Sequence, residues 1–180
     1  MKRYVDDYEI VVIEDEKGGE KKSAVYRGSF FEINLTGQDL GKFKRNSMLW
    51  FVAVFVLHMG AGFLVNRGMY QLYVALPYVL VFLPEYYLAA GIFRLPKDRR
   101  KFRRDEIELS FTRIKKASTF LLVLISVLGL AELIFIVGWA VEMSAQEVFF
   151  LLLITLAGVG AYILFRLQKT VQITANDSHL

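Results

Sequence analysis

The chain alternates between long apolar runs and shorter polar segments, and four of the apolar runs have the length of membrane-spanning helices. They cover about residues 48–65, 70–93, 117–141 and 148–165. Each run has close to the ~20 residues that an α-helix needs to cross a hydrocarbon core of about 30 Å. A soluble protein of 180 residues has too little volume to bury four nearly uncharged helices on all sides. The pattern therefore predicts a membrane all-α fold, a bundle of four transmembrane helices.

Composition supports the same fold class. Hydrophobic residues make up 55% of the chain and aromatic residues 14%, and the mean hydropathy of +0.40 exceeds ordinary soluble usage. The chain contains no cysteine, which excludes disulfides, thiolate metal sites and iron–sulfur clusters. The first 45 residues are too polar for the hydrophobic region of a signal peptide, so the first helix is expected to act as an uncleaved anchor.

The distribution of Lys and Arg predicts the orientation in the membrane. These residues concentrate before the first helix and within residues 94–116, whereas the two short loops between helices contain only Arg67. Under the positive-inside rule, both termini and the central loop of an integral membrane protein are expected in the cytoplasm, and the plasma membrane is the expected location. The basic residues expected at the membrane surface are Lys42, Lys44, Arg45, Arg99, Arg100, Arg103, Arg104, Lys115 and Lys116.

Residues 1–45 are predicted to form a small N-terminal cytoplasmic β-hairpin and a basic approach to the membrane. Residues 8–13 and 23–35 are rich in β-branched and aromatic side chains, and residues 16–20 between them contain a Gly-Gly turn signal. Gly28 is expected to form a bulge or a break in the second strand. The hairpin is interpreted either as a structural cap on the bundle or as a docking strand for a partner.

The basic central loop, residues 94–116, contains a stretch with two interpretations. Within residues 105–116, apolar side chains alternate as in a strand, but Ile107, Phe111 and Ile114 also share one helical face. Acidic residues at its start and basic residues at its end favour a short amphipathic helix, through the helix dipole. The strand remains the alternative.

The two halves of the chain resemble each other at a shift of about 71 or 72 residues. At this shift FRLPK at 93–97 falls on FRLQK at 165–169. This predicts two helical hairpins, residues 46–93 and 117–167, related as a parallel repeat about an axis along the membrane normal. Chance similarity between apolar helices with basic flanks is the alternative. Residues 168–180 are expected to form a cytoplasmic tail.

Three ionisable residues fall inside the predicted helices: His58, Glu85 and Glu132. A charge near the bilayer centre costs about 2.5–3.5 kcal/mol on insertion scales, so each needs a partner, water or a proton. Counting residues along each helix places Glu85 and Glu132 roughly 10 Å apart in depth and His58 closer to Glu132. The preferred pair is therefore His58 with Glu132.

Glu85 also belongs to a polar stripe on the second helix. Gln71, Tyr78 and Glu85 recur every seven residues, and Pro84 is expected to kink the helix beside them. Such a stripe suits either a solute or proton path or a hydrogen-bonded interface between helices.

Small residues mark the first and fourth helices as surfaces for close packing. Side chains without bulk allow two helix backbones to approach each other in a membrane. The residues expected to do this are Gly60, Gly62, Ala157, Gly158 and Ala161.

No catalytic motif is present. The sequence lacks a nucleophile elbow, a P-loop, a dinucleotide fingerprint and a zincin helix, and His58 and His179 are its only histidines. No metal, cofactor or nucleic-acid binding is predicted, and enzymatic activity is the least favoured class. The preferred function is an accessory, assembly or regulatory membrane subunit acting through its cytoplasmic face, with the lipid bilayer and a second copy or another membrane protein as partners. The alternative is a small dimeric transporter or channel for a solute, an ion or protons.

Overall fold

Four long helices make up most of the structure, which is a computed structural model describing residues 5, 7–14, 20–96, 101–138 and 144–176. The helices are α1 (Gly37–Gly62), α2 (Leu72–Phe93), α3 (Arg104–Gly138) and α4 (Ala145–Lys169). The predicted helical character and the small N-terminal β-hairpin are confirmed.

Among the described residues, three helices are long and apolar enough to cross a membrane: α2, α3 and α4. Helix α1 falls short of this standard because it ends at Gly62, so the apolar part that follows Ser47 is short and contains His58. Many large apolar side chains on the helices face outward, as at Val56, Leu76 and Val137. Outward apolar surface on helices of this length is typical of an integral membrane protein.

Helix α3 includes much of the segment that was predicted to be a loop. It starts at Arg104, passes through one π-helical turn at Glu108–Thr112 and continues to Gly138. The helical interpretation of residues 105–116 is therefore right and the strand alternative is wrong. The helix starts here because the Glu106 carboxylate accepts a hydrogen bond from the Arg103 backbone N–H, at 3.1 Å, which caps the first turn.

The hairpin consists of strands β1 (Tyr8–Glu14) and β2 (Glu20–Tyr26), paired antiparallel. The break predicted at Gly28 separates β2 from β3 (Phe30–Ile33), which joins a different sheet. A side chain on Gly28 would collide with the Tyr26 hydroxyl. That hydroxyl donates to the Ser29 carbonyl at 2.8 Å, so it closes the turn.

The second sheet has three strands in the order β4-β3-β5, all antiparallel neighbours. Strand β4 (Lys101–Arg103) lies in the predicted central loop, and β5 (Ile173–Asn176) lies in the segment predicted to be a tail. Neither strand was predicted, because three or four residues are too few to show alternation and long-range pairing stabilises them. We call the end of the bundle that carries this sheet the sheet end, and the opposite end the loop end.

The hairpin contacts the start of α3. The Tyr8 hydroxyl lies 3.5 Å from Asp105 Oδ2, and the Tyr26 hydroxyl accepts a hydrogen bond from the Arg104 backbone N–H at 3.1 Å. Burial raises the pKa of Tyr26 above its ordinary value of 10.0, so the hydroxyl keeps its proton at neutral pH. The hairpin is thereby fixed to the sheet end.

The helices form a ring in which α1 packs against α4, α4 against α3, and α3 against α2. The fourth side of the ring, α1 against α2, has the least contact of the four. Glycines allow two of these contacts to be close. A Cβ at Gly160 on α4 would lie 2.7 Å from Val54 Cγ2 on α1, and one at Gly91 on α2 would lie 2.6 Å from Ile114 Cγ1 on α3.

Replacing Gly160 with Ala is expected to destabilise the fold, because the fully buried Val54 has a stiff β-branched side chain that cannot yield easily. The expected loss is about 1–3 kcal/mol in the free energy of unfolding, measured by denaturant titration in detergent micelles. Gly158→Ala is the matched control, since its Cβ would make an ordinary contact of 3.5 Å with Ile125. Equal stability of the two variants would contradict the packing described.

Candidate functional site

Two clusters of buried polar side chains lie within the helical part of the structure. The histidine cluster consists of His58 on α1 with Tyr78 and Glu85 on α2. The asparagine cluster consists of Asn66 and Gly68 in the connection between α1 and α2, together with Glu132 on α3. Together they contain His58, Glu85 and Glu132, the three ionisable residues that fall inside the predicted helices.

In the histidine cluster, both ring nitrogens of His58 are occupied. Nδ1 lies 3.1 Å from each of the two carboxyl oxygens of Glu85, and Nε2 lies 3.2 Å from the backbone carbonyl oxygen of Tyr78. The Tyr78 hydroxyl donates in return to the His58 carbonyl at 3.4 Å. His58 is 0% exposed and Glu85 2%.

These contacts determine which atoms of the histidine cluster carry a hydrogen. The Tyr78 carbonyl can only accept a hydrogen bond, so Nε2 of His58 carries a hydrogen. One further proton must then lie between Nδ1 and the Glu85 carboxyl group, either as imidazolium beside carboxylate or as imidazole beside carboxylic acid. Both arrangements have no net charge, which an apolar surrounding requires. The cluster therefore holds one shared proton and links α1 to α2.

Aromatic rings and a glycine enclose the cluster. The rings of Tyr78 and Phe82 lie 4.5 Å and 4.6 Å from the His58 ring, measured between centroids. The Tyr78 hydroxyl contacts the position where a Gly62 side chain would be, so Gly62 makes room for this ring. Sequence reasoning assigned Gly62 to helix packing, and its contact is with the Tyr78 side chain.

The preferred pairing of His58 with Glu132 is wrong, because His58 bonds to Glu85. Helices α1 and α3 lie across the ring from each other, whereas α1 and α2 are joined by a short connection. Side chains on a helix lean toward its N-terminus, and α1 and α2 run in opposite directions. His58 and Glu85 therefore lean toward each other, and counting depth by Cα position alone overstated their separation.

In the asparagine cluster, Glu132 links α3 to the connection between α1 and α2. Asn66 Nδ2 donates to Glu132 Oε1 at 2.9 Å, and the Gly68 backbone N–H donates to Asn66 Oδ1 at 2.6 Å. Glu132 Oε2 lies against Gly68, where a side chain would not fit. Sequence reasoning missed Asn66; the signal was an Asn two residues before a Gly, which is typical of an Asx turn.

Two buried carboxyl oxygens near the loop end have no hydrogen-bond partner within the part of the chain described. They are Glu132 Oε2 and Glu147 Oε1. Glu147 otherwise caps α4, since its second oxygen accepts from the Ser144 backbone N–H at 3.0 Å. Among the described residues, no group of three His, Cys, Asp or Glu side chains could hold a metal ion.

The structure divides the other predicted residues between different roles. Gln71 lies apart from the histidine cluster, at the N-cap of α2, where its backbone carbonyl accepts from Val74 and Ala75. Ala157 and Ala161 on α4 are fully buried. Gly60 makes only an ordinary contact, with Leu153 on α4.

The basic residues gather at the sheet end. Lys44 Nζ donates to the Leu95 carbonyl at 2.6 Å and thus caps the end of α2. Arg103 Nη1 donates to the Tyr8 hydroxyl at 3.4 Å, and Arg104 pairs with Glu108 at 3.3 Å. Lys42 lies 4.0 Å from Asp39, while Arg99 and Arg100 lie outside the described residues. The side chains of Arg45, Lys115 and Lys116 are exposed.

A cavity of about 750 Å³, which we call the sheet-end groove, lies between α2, α3 and the three-stranded sheet. Its lining includes Lys116 and Arg113, the latter a basic residue outside the predicted set. The groove reaches Pro84, but His58, Tyr78 and Glu85 are not among its lining residues. The lining residues are Phe31, Pro84, Tyr87, Arg104, Ile107, Glu108, Thr112, Arg113, Lys116, Ala117, Phe120 and Ile173.

Comparisons of the chain with protein-family models, with curated proteins and with solved structures gave no significant match. The function therefore has to be inferred from the positions and contacts of the residues.

Removing either partner of the His58–Glu85 pair is expected to destabilise the protein, because the other partner stays buried without a hydrogen bond. His58→Leu and Glu85→Leu should each lower the free energy of unfolding by about 1–3 kcal/mol. The double variant should lose less than the sum of the two, with a coupling of about 1 kcal/mol or more in a denaturation cycle. Glu85→Gln, which keeps a donor for Nδ1, is the conservative control. Strictly additive losses would show that the pair does not interact.

Proposed function

We propose that this chain is an accessory, assembly or regulatory membrane subunit that acts through its sheet end, in the cytoplasm. The observation that carries the proposal is the contrast between the two kinds of polar group. Inside the bundle, His58, Tyr78 and Glu85 are buried and bond to each other, whereas the polar groups at the sheet end form an ordered surface from three distant segments of the chain.

Burial of the histidine cluster argues against transport. A solute or proton path needs polar groups that water can reach, at least from one side. His58, Tyr78 and Glu85 are all buried, and their polar atoms bond to each other. The arrangement suits a hydrogen-bonded interface that joins two helices.

The hairpin offers a surface for a partner. Ile10 and Val12 alternate along β1 and are 71% and 51% exposed. They are on the same face as Tyr8, which contacts α3, so this face continues beyond the body of the protein. A two-stranded hairpin is marginally stable in water by itself, and its strand edges are open to pairing. The occupant of this face is a second copy of the chain or another membrane protein.

The proposal includes a fourth membrane span, α1. This helix packs along α4, and residues on its outer surface, such as Leu49, Val52 and Val56, are exposed apolar side chains. Such a surface beside a spanning helix suits contact with lipid. Placing the sheet end in the cytoplasm follows from the many Lys and Arg residues near it, and the plasma membrane is the proposed location.

The register of the sheet supports a parallel repeat. Strand β3 precedes α1 and β4 precedes α3, and Phe31 pairs directly with Phe102, which is 71 positions later. The two flanking pairs are Phe30 with Arg103 and Glu32 with Lys101. The same shift of 71 carries Phe30 to Lys101 and Glu32 to Arg103, so it maps each flanking pair onto the other. An antiparallel pair has a local twofold axis between its strands, so one axis relates the starts of the two helical hairpins. The polar clusters do not follow the repeat, because the positions 71 residues after His58 and Glu85 are Gly129 and Leu156.

A photo-crosslinking amino acid at Ile10 or Val12 is expected to form adducts with protein in native membranes. The same group at Val65, an equally exposed apolar position at the loop end, is the control and should form few. Mass spectrometry of the adducts distinguishes a second copy from another protein. Adducts at Val65 alone would contradict docking through the hairpin.

A flux measurement separates this function from the transporter alternative. Protein in liposomes should show proton flux no greater than empty liposomes, with Glu85→Gln and Glu132→Gln the same as wild type. Flux that either substitution abolishes would overturn the accessory function.

The orientation predicts which positions are accessible from outside the cell. Because the chain has no cysteine, single cysteines can be labelled without background. Arg67→Cys, at an exposed position of the loop end, should react with an impermeant maleimide in intact cells. Lys22→Cys, on the hairpin, should react only after permeabilisation. The reverse pattern would overturn the orientation.

A further inference from the structure

The sheet-end groove has one helical face of α3 as its wall. Arg113, Lys116, Ala117 and Phe120 line it, at spacings of three, four and seven residues from Arg113, which places them in one row along the helix. Pro84 and Tyr87 on α2 form the opposite wall. Phe31 and Ile173, from β3 and β5, close the groove at the sheet.

The row changes from basic to apolar along its length. Arg113 and Lys116 lie nearer the sheet end, and Ala117 and Phe120 lie further along α3 toward the middle of the bundle. The row spans roughly 10 Å at about 1.5 Å per residue. Such a gradient matches an amphiphile with an anionic head at the membrane surface and an apolar chain below it.

The charges of the groove favour an anion. Three basic residues line it, Arg104, Arg113 and Lys116, against one acidic residue, Glu108. Glu108 pairs with Arg104 at 3.3 Å. Within the described residues, Arg113 and Lys116 form no ion pair with a carboxylate, and the Arg113 guanidinium lies 5.9 Å from the centre of the Tyr87 ring.

We propose that the sheet-end groove binds an anionic phospholipid of the bilayer. Its phosphate lies between Arg113 and Lys116, with Arg104 nearby, and one acyl chain lies against Ala117, Phe120 and Pro84. The cavity of about 750 Å³ has room for a headgroup and part of a chain. This site does not depend on the proposed docking of a partner at the hairpin.

The apolar half of the groove distinguishes a lipid from a free anion. Phe120 and Tyr87 are 46% and 45% exposed, on helices whose outer surfaces are apolar. A small anion in solution would leave this half empty, whereas the acyl chain of a bilayer lipid would cover it through van der Waals contacts. Since Phe31 and Ile173 also line the groove, the bound lipid would contact the sheet as well as the helices.

Native mass spectrometry of the full-length protein tests the proposal. The protein is extracted from vesicles of phosphatidylcholine with a minority of phosphatidylglycerol, and the lipids that remain bound are counted. Wild type is expected to retain phosphatidylglycerol. The variant with both Arg113→Gln and Lys116→Gln should lose retention by about fivefold for each charge removed, since a basic residue at a membrane surface contributes ~1 kcal/mol.

The matched control removes two charges elsewhere, through Arg45→Gln and Lys115→Gln, which are exposed and do not line the groove. It should retain the lipid as wild type does. Equal loss in both double variants would show a general charge effect and overturn the site. Equal retention of phosphatidylcholine and phosphatidylglycerol by wild type would also overturn it. Dissolved glycerol phosphate should not displace the lipid; displacement would show that the groove binds a free anion.

Discussion

The antiparallel pairing of β3 with β4 on one side and β5 on the other determines where the helices start and end. Strand β3 leads into α1, β4 leads into α3, and β5 follows α4, so one short strand ties three helix ends together. Lys44 adds the fourth by donating to the Leu95 carbonyl beyond α2. Asn34 strengthens the pairing, since its side chain bonds to the backbone of both Thr170 and Gln172. The sheet-end groove exists because this small sheet covers the ends of α2 and α3.

Within the helices, polar side chains serve to join neighbours. His58 and Glu85 connect α1 with α2, the two neighbouring helices that otherwise have the least contact. Asn66 and Glu132 connect the first loop with α3, and Gln168 bonds to Ser47 between α4 and α1. In an apolar medium, where hydrophobic burial gives little drive for helix association, such bonds and close packing specify which helices are adjacent.

Sequence periodicity was sufficient for the helical runs and for the hairpin, because both depend on local patterns of apolar residues. It was insufficient for β4 and β5, whose three or four residues are stabilised by partners about 70 positions or more away. It also failed for the partner of His58, because one sequence does not state which helices are diagonal in the ring. Asn66 was overlooked because a buried Asn in a loop has no periodicity to reveal it. Arg113 and Lys116 were visible as basic residues, but their place in a groove depends on the sheet above them.

The position of β5 also sets an order of assembly during synthesis. Strand β3 is made first and has both edges free until β4 emerges, after α1 and α2 have been completed. Its second edge is covered only when β5 follows α4, so the sheet is complete only after all four helices have been made. Until then, Phe31 and its neighbours present an open edge to chaperones and to other nascent chains. A chain that stops before Ile173 would keep that edge open and would also lack one wall residue of the groove.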